Sequence, residues 1–302
     1  MEVRFIKLGN GGDWETKCIE NDNTIRLGYV SPFHEDWLIG NWAPVREYWL
    51  GARKGNQGAA TSDINQIKAF YELSEFDIWV TFHKRKMYWC HAQKDVQQLE
   101  DGSRVRNVIG KWRSDAKNDF PLTIENIDGR ITKAQGFRGT ICRVELPEYL
   151  IRKINGELQP EVEAAKVALK NLKLDVENLI KGLWWGDFEL LVDLIFSQSG
   201  WRRASALGKT EKDIDLDIFS PVTQKRAFVQ IKSSTSTSEI MACYERLSKY
   251  EQCEEIYFVF HTLNGALDKI GALEKLNLWD ISKVADLVIQ TGLIDWLITK
   301  RS

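Results

Sequence analysis

Between Asp213 and Lys232 the chain carries two alternating runs on either side of a proline, and few local structures suit that pattern. In Asp213-Ile214-Asp215-Leu216-Asp217-Ile218 acidic and apolar residues alternate strictly. In Phe228-Val229-Gln230-Ile231-Lys232, Gln230 and Lys232 alternate with Val229 and Ile231. Successive side chains of a strand point to opposite faces, so each run reads as a strand with one polar face. The first strand then turns Ile214, Leu216 and Ile218 toward a core and gathers three carboxylates opposite them. With Pro221 in the turn, strands over 214–219 and 227–232 form a hairpin in which Asp217, Gln230 and Lys232 converge. Three aspartates on one face repel one another. A cation or a phosphate-directed chemistry would answer that repulsion; an acidic edge strand kept soluble by its charge is the simpler alternative.

The elements around this hairpin alternate in type. Phe188–Ser197 reads as an apolar helix, 239–250 as a helix and Ile256–His261 as an apolar strand. A helix near 268–276, a final helix over 282–290 and a closing segment over 293–299 complete an α/β domain, a central mixed sheet flanked by helices. Upstream, PEVEAAKVALKNLKLDVENLIKGL begins at Pro160 with acidic residues in its first turn and Gly182 near its end, the marks of one continuous helix. Val162, Ala165, Leu169, Leu172, Val176, Leu179 and Leu183 form an a/d stripe along it, which suits either a dimer seam or packing on the chain's own domains.

The first part of the chain has another character. Strands are predicted at 3–6, 77–82, 87–90 and 139–145, with Lys84-Arg85-Lys86 as a hairpin turn and helices inserted around 45–53 and 63–73. This is an α+β, barrel-like domain. A chain of 302 residues accommodates two domains with separate cores. The expected division is 1–147, a linker helix over 148–182, and 183–302. Five scattered cysteines without a CxxC spacing suit reduced thiols in a cytoplasmic protein and give no zinc or disulfide framework. Met1–Lys7 holds no long apolar run, so no signal peptide is expected, and no stretch has the length of a membrane helix. The net charge of −2 does not by itself mark a nucleic-acid binder, but phosphate contacts need only local clusters. Lys84-Arg85-Lys86, Arg104 with Arg106, Lys111 with Arg113, Arg202-Arg203 and Lys225-Arg226 supply candidates.

The polar set on the C-terminal hairpin is the one phosphodiester hydrolysis uses. A carboxylate and a carbonyl oxygen hold Mg2+, which activates water and offsets charge developing on phosphate. A lysine beside them orients or deprotonates the water. A carboxylate on one strand followed by (Asp/Glu/Gln)-x-Lys on its partner resembles the PD-(D/E)xK nuclease superfamily, and the Gln-Ile-Lys form resembles its Mrr-like restriction endonuclease branch. Phe188-Glu189 and Gly200-Trp201 occupy the places of that family's Phe-Glu helix and Gly-aromatic step, and Asp213 through Asp217 correspond to its Asp-x-x-(apolar)-Asp signature. The resemblance, over about 183–299, implies that Glu189, Asp217 and Gln230 ligate Mg2+, with Mn2+ as a substitute, and that Lys232 is the catalytic lysine. Asp215 stands where the family often has Gly, which makes it the fallback for Asp217.

Sequence choice has to come from elsewhere, because phosphate contacts carry no sequence information. Trp14, Trp37, Trp42, Trp49, Trp79, Trp89 and Trp112 crowd the first 112 residues. The layout of 77–90, Lys111-Trp112-Arg113 and Gly136-Phe137-Arg138-Gly139 resembles EVE and PUA-like domains, aromatic-rich barrels that hold a flipped, modified base. Trp14, Trp42, Trp79 and Trp112 are then candidates for the stacking wall and Arg138 for a backbone contact, each of which a core or surface role would also explain. Together the resemblances imply a modification-dependent restriction endonuclease acting on double-stranded DNA, working as a homodimer to cut both strands. A DNA-repair or RNA-directed nuclease and a catalytically silent nucleic-acid-binding protein are the other classes the residues allow.

Overall fold

The computed structural model describes residues 1–204, 214–265 and 273–302, and these divide into two compact units, Met1–Gln159 and Pro160–Ser302. The division differs from the expected linker over 148–182. The segment after Pro147 is split between the two units, and the long helix belongs wholly to the second, where Val176 and Ile180 are buried.

In the first unit the elements run β1 (Val3–Ile6), β2 (Thr24–Leu27), α1 (His34–Leu38), α2 (Ala43–Ala52), α3 (Gln57–Glu72), β3 (Ile78–His83), β4 (Lys86–Ala92), β5 (Gln97–Gln98), β6 (Arg104–Arg113), α4 (Gly129–Thr132), β7 (Ile141–Arg143) and α5 (Pro147–Asn155). Seven strands form one curled sheet in the order β2-β6-β4-β3-β1-β7, with β5 on β6. The end strands do not pair with each other, so the expected barrel is an open half-barrel. Lys84 and Arg85, both in the left-handed region, make the β3–β4 turn where the basic trio was expected. Two hydrophobic clusters pack this sheet: Ile25, Leu27, Trp79 and Trp112 with α1–α3, and Phe5, Val80, Trp89 and Ile131 with α5.

Strand β6 corrects the reading of Arg104 and Arg106 as a surface basic cluster. Both are buried, at 0% and 1% exposure. Arg104 donates to the carbonyls of Tyr29, Gly102 and Ser31, and its guanidinium lies 4.5 Å from the Trp37 ring. Arg106 donates to the carbonyls of Gln93, Phe70 and Ala92 at 2.6, 2.9 and 3.2 Å. Each guanidinium links β6 to backbone outside the sheet, at Tyr29 and Ser31 for Arg104 and at Phe70 of α3 for Arg106, which a planar, multi-donor cation does well. Arg106→Met is expected to leave three buried carbonyls short of a donor and to cost roughly 3 kcal/mol, read as a lowered denaturation midpoint.

The second unit continues with α6 (Pro160–Lys181), α7 (Trp185–Gln198), β8 (Arg202–Arg203), β9 (Leu216–Phe219), β10 (Arg226–Ser236), α8 (Thr237–Leu247), β11 (Glu255–Asn264), β12 (Leu276–Trp279), α9 (Ile281–Gln290) and α10 (Ile294–Arg301). Its sheet runs β12-β11-β10-β9-β8. Strand β10 is antiparallel to β9 and parallel to β11. One face packs Leu216, Ile218, Val229, Ile231 and Val259 under α6, α7 and α9; the other packs Phe228, Ile256, Phe258 and Phe260 under α8. A reciprocal capping box of Ser236 and Glu239 starts α8 at the last residue of β10, and Asp280 caps α9 through the Lys283 N–H. Of the helix expected near 268–276, residues 268–272 lie outside the described residues, and Leu276 begins a strand. Asp213 also lies outside them.

Candidate active site

The hairpin ladder pairs Phe219 with Arg226, Ile218 with Ala227, Asp217 with Phe228 and Leu216 with Val229. Cross-strand partners share a face, so Asp217 and Phe228 lie on the α8 side, and alternation carries that face along β10 through Gln230 to Lys232. Regular pairing stops at Leu216. The strict alternation expected upstream stops there too: Ile214 packs with Phe228 and Ile240, apart from Leu216 and Ile218. Asp215 turns in toward β10. Its N–H donates to the Val229 carbonyl, and its Oδ2 accepts from the Ile231 N–H at 2.6 Å and from Gln230 Nε2.

Glu189 reaches the same place from α7. Phe188 beside it is fully buried and meets the His261 ring edge to face at 5.1 Å, which fixes this turn of the helix on the sheet. The Glu189 carboxyl stays partly exposed. Burial first, and then the Asp215 carboxylate, push its pKa above the ordinary glutamate value, while Lys232 pulls it back. Lys232 itself is exposed. Thus Glu189, Asp215, Gln230 and Lys232 come together at the end of the β9–β10 ladder.

Asp217, expected as the first carboxylate of this group, has another partner. Arg226, on the same face, grips it with two hydrogen bonds, Nε to Oδ1 at 2.8 Å and Nη2 to Oδ2 at 2.6 Å, and the aspartate is only 7% exposed. Both of its oxygens serve this bidentate ion pair. The fallback Asp215 holds the place beside Gln230. The Gln230 amide is engaged at both ends, since its Oε1 accepts from Arg246 on α8 at 3.1 Å. Arg246 does not stand out in the sequence, and Arg226, a candidate phosphate contact there, is committed to Asp217 instead; each meets its partner only through the folded sheet.

The donor set is hard oxygen: two carboxylates, one strained by the other, suit Mg2+, which is commonly held by one or two carboxylates with water and phosphate completing the shell. Among the described residues no group of three or more His, Cys, Asp or Glu side chains gathers to hold a metal.

In the first unit the expected aromatic wall is dispersed. Trp79 is fully buried, and Trp112 is 7% exposed with its indole N–H on the Thr24 carbonyl; both belong to the core. Trp42 lines a separate cleft with Arg46 and Lys68. Trp14 and Arg138 share one open cavity of about 440 Å3 with Lys7, Tyr29 and Arg53. The Arg26 guanidinium lies 4.1 Å from the Trp14 ring. Gly9, at φ +85, abuts the same indole so closely that a Cβ would stand 3.0 Å from it.

Residues 180–288, which include all of this hairpin and α7, match the Mrr catalytic-domain family, described as a restriction endonuclease. The second unit therefore carries a nuclease domain of the class that hydrolyses DNA. A solved structure titled "MspJI Restriction Endonuclease in Complex with 27-mer Oligonucleotide" aligns over 82% of this chain and 70% of its own, at 13% identity and a TM-score of 0.27. No curated protein matches the chain. Among the described residues no helix is long and apolar enough to cross a membrane.

Two substitutions separate the aspartates. Asp217→Asn is expected to weaken the Arg226 clasp and lower stability by about 2 kcal/mol while sparing divalent-cation binding. Asp215→Asn should abolish cation binding with little change in melting temperature; calorimetric titration and thermal melts read both. Glu189→Gln gives a test in pH. A carboxyl whose folded pKa exceeds its unfolded value costs stability above the folded pKa, and the cost vanishes below the unfolded value, about 4.3 for Glu. The metal-free Glu189→Gln protein is therefore expected to melt above wild type at neutral pH, the gap closing as pH falls below about 4.

Proposed function

We propose that this protein is a modification-dependent restriction endonuclease, with the second unit cutting double-stranded DNA and the first sensing a modified base. The observation that carries the nuclease half is the meeting of Glu189, Asp215 and Lys232 at one end of the hairpin inside the matched restriction-endonuclease segment. Glu189 and Asp215 would hold Mg2+, or Mn2+ in its place. When bound, the cation supplies an activated water and neutralises charge on the phosphate. Asp215 is aimed by two hydrogen bonds from β10 and needs no reorganisation to serve. Lys232, exposed at the strand face, would orient the attacking water and draw the phosphate oxygens toward the carboxylates. Gln230 and Ile231 keep Asp215 from swinging away.

The cavity holding Trp14 and Arg138 supports the sensing half. The Trp14 indole and the Tyr29 ring line it with aromatic surface for a base extruded from the duplex, and Lys7 and Arg138 bring positive charge to its rim for the flanking phosphates. Tyr29 is held in place by its hydroxyl on Asp63 Oδ1 at 3.0 Å. Two copies of the chain would meet on DNA, since each presents one such nuclease centre and a duplex has two strands to cut.

Incubation with Mg2+ and either base-modified phage DNA or its unmodified counterpart tests the proposal. Modified DNA should be cut and unmodified DNA spared. Lys232→Ala should slow cleavage by about 10²–10⁴-fold yet keep binding. Trp14→Ala should weaken binding of modified duplex by about 10-fold, a stacking loss, without touching the nuclease centre. Equal cutting of both DNAs by wild type would remove the sensing half and leave the nuclease; no cutting by wild type would remove both.

A further inference from the structure

Gln230 stands between two groups of opposite hydrogen-bonding character. The Asp215 carboxylate only accepts, and the Arg246 guanidinium only donates. The glutamine amide satisfies both, its Nε2 donating to Asp215 and its Oε1 accepting from Arg246 Nη2 at 3.1 Å. The partners dictate which end faces which. A reversed amide would set an oxygen against a carboxylate and an NH2 against a guanidinium, at a residue only 5% exposed where water offers little relief. Helix α8 makes the contact possible. It begins at the last residue of β10 through the Ser236–Glu239 capping box and packs back over the sheet on Ile240, Cys243 and Leu247. That reversal brings residue 246 beside residue 230.

We propose that Arg246 is a positioning residue of the nuclease centre, acting through a relay in which its guanidinium orients the Gln230 amide and the amide orients the Asp215 carboxylate. Gln230 then serves the cation through Asp215, and its own carbonyl oxygen is committed to Arg246. The relay rests on the nuclease reading of the second unit. It also gives a reason for glutamine at this position. A glutamate of the same length would satisfy Arg246 but has no donor for Asp215, and it would set a carboxylate against a carboxylate already facing Glu189. Were residue 230 an oxygen ligand to the cation, a glutamate would do at least as well as the glutamine.

The two possibilities separate in a titration of the full-length protein with Mn2+ in the absence of DNA, with free Mn2+ counted by electron paramagnetic resonance and melting temperatures recorded in parallel. The relay expects Gln230→Glu and Arg246→Met each to weaken Mn2+ binding by about 10–100-fold, as losses of residues that support a metal ligand do. Arg246→Lys, which keeps a donor, should recover part of the loss. Adding Arg246→Met to Gln230→Ala should cost little more than Gln230→Ala alone, because the relay is already cut. Mn2+ affinity in Gln230→Glu equal to or above wild type overturns the relay, as does unchanged affinity in Arg246→Met. Should Arg246→Met fail to fold, Gln230→Glu, close to isosteric, decides alone. A wild type that neither binds Mn2+ nor cuts DNA overturns the nuclease reading and the relay together, whereas a wild type that binds beside indifferent variants overturns the relay only.

Discussion

Strand β10 is hydrogen-bonded along both edges, antiparallel to β9 and parallel to β11, and the chemistry of the second unit depends on that double pairing. A strand held on one side only can twist or slip, and a slip of one residue would turn Gln230 and Lys232 into the α6–α7 core. Here nine residue pairs with β11 fix the register, and the apolar residues of β10 divide between two cores, Val229 and Ile231 on one side and Phe228 on the other. The polar residues of the strand have no other place to go. Asp215 completes the arrangement by hydrogen-bonding to this strand at the point where β9 stops pairing.

Holding two carboxylates near each other works against stability, and the protein accepts that at one point. Glu189 is disfavoured as an anion by its burial and by Asp215, yet its neighbour Phe188 is packed so firmly that the helix cannot turn it away. Such opposed charge is left without a full partner. Asp217 shows the contrasting case two residues along. There the carboxylate is as buried as a core residue and fully paired with Arg226, so its charge is spent on structure.

The first unit uses its cations in the same two ways. Arg104 and Arg106 are withdrawn into the interior, where main-chain carbonyls accept from guanidinium donors that would otherwise face phosphate. Arg138, Lys7 and Arg53 line an open cavity, where Lys7 donates to the Phe137 carbonyl and Arg53 pairs with Asp63. Composition counts these residues alike. A basic run in the sequence says only that positive charge is present, and the curl of the sheet decides whether it meets solvent or backbone.

Elements defined by local pattern were legible from the chain alone: the β9–β10 hairpin, the helix from Pro160, the β3–β4 turn and the helix bearing Phe188-Glu189. Each rests on residues within a few positions of one another, whose periodicity or capping expresses itself wherever the segment lies. Strand β6 was not legible, because Arg104 and Arg106 break the apolar code of a buried strand and reach acceptors, Tyr29, Ser31 and Phe70 among them, on segments distant in sequence. The aromatic wall was legible only as composition, since a tryptophan in the core and one lining a cavity look the same in a string of letters. Asp215 and Asp217 are the clearest instance. Two residues apart on a strand, they share a face by period, so alternation cannot rank them. Only the end of the ladder, which frees Asp215 to reach Ile231, and the arrival of Arg226 beside Asp217 tell them apart. The sequence by itself determined that acidic and amide side chains would line one face of a hairpin followed by a lysine. Tertiary structure alone decided which carboxylate stands at the centre, because that choice depends on partners brought by other strands and helices.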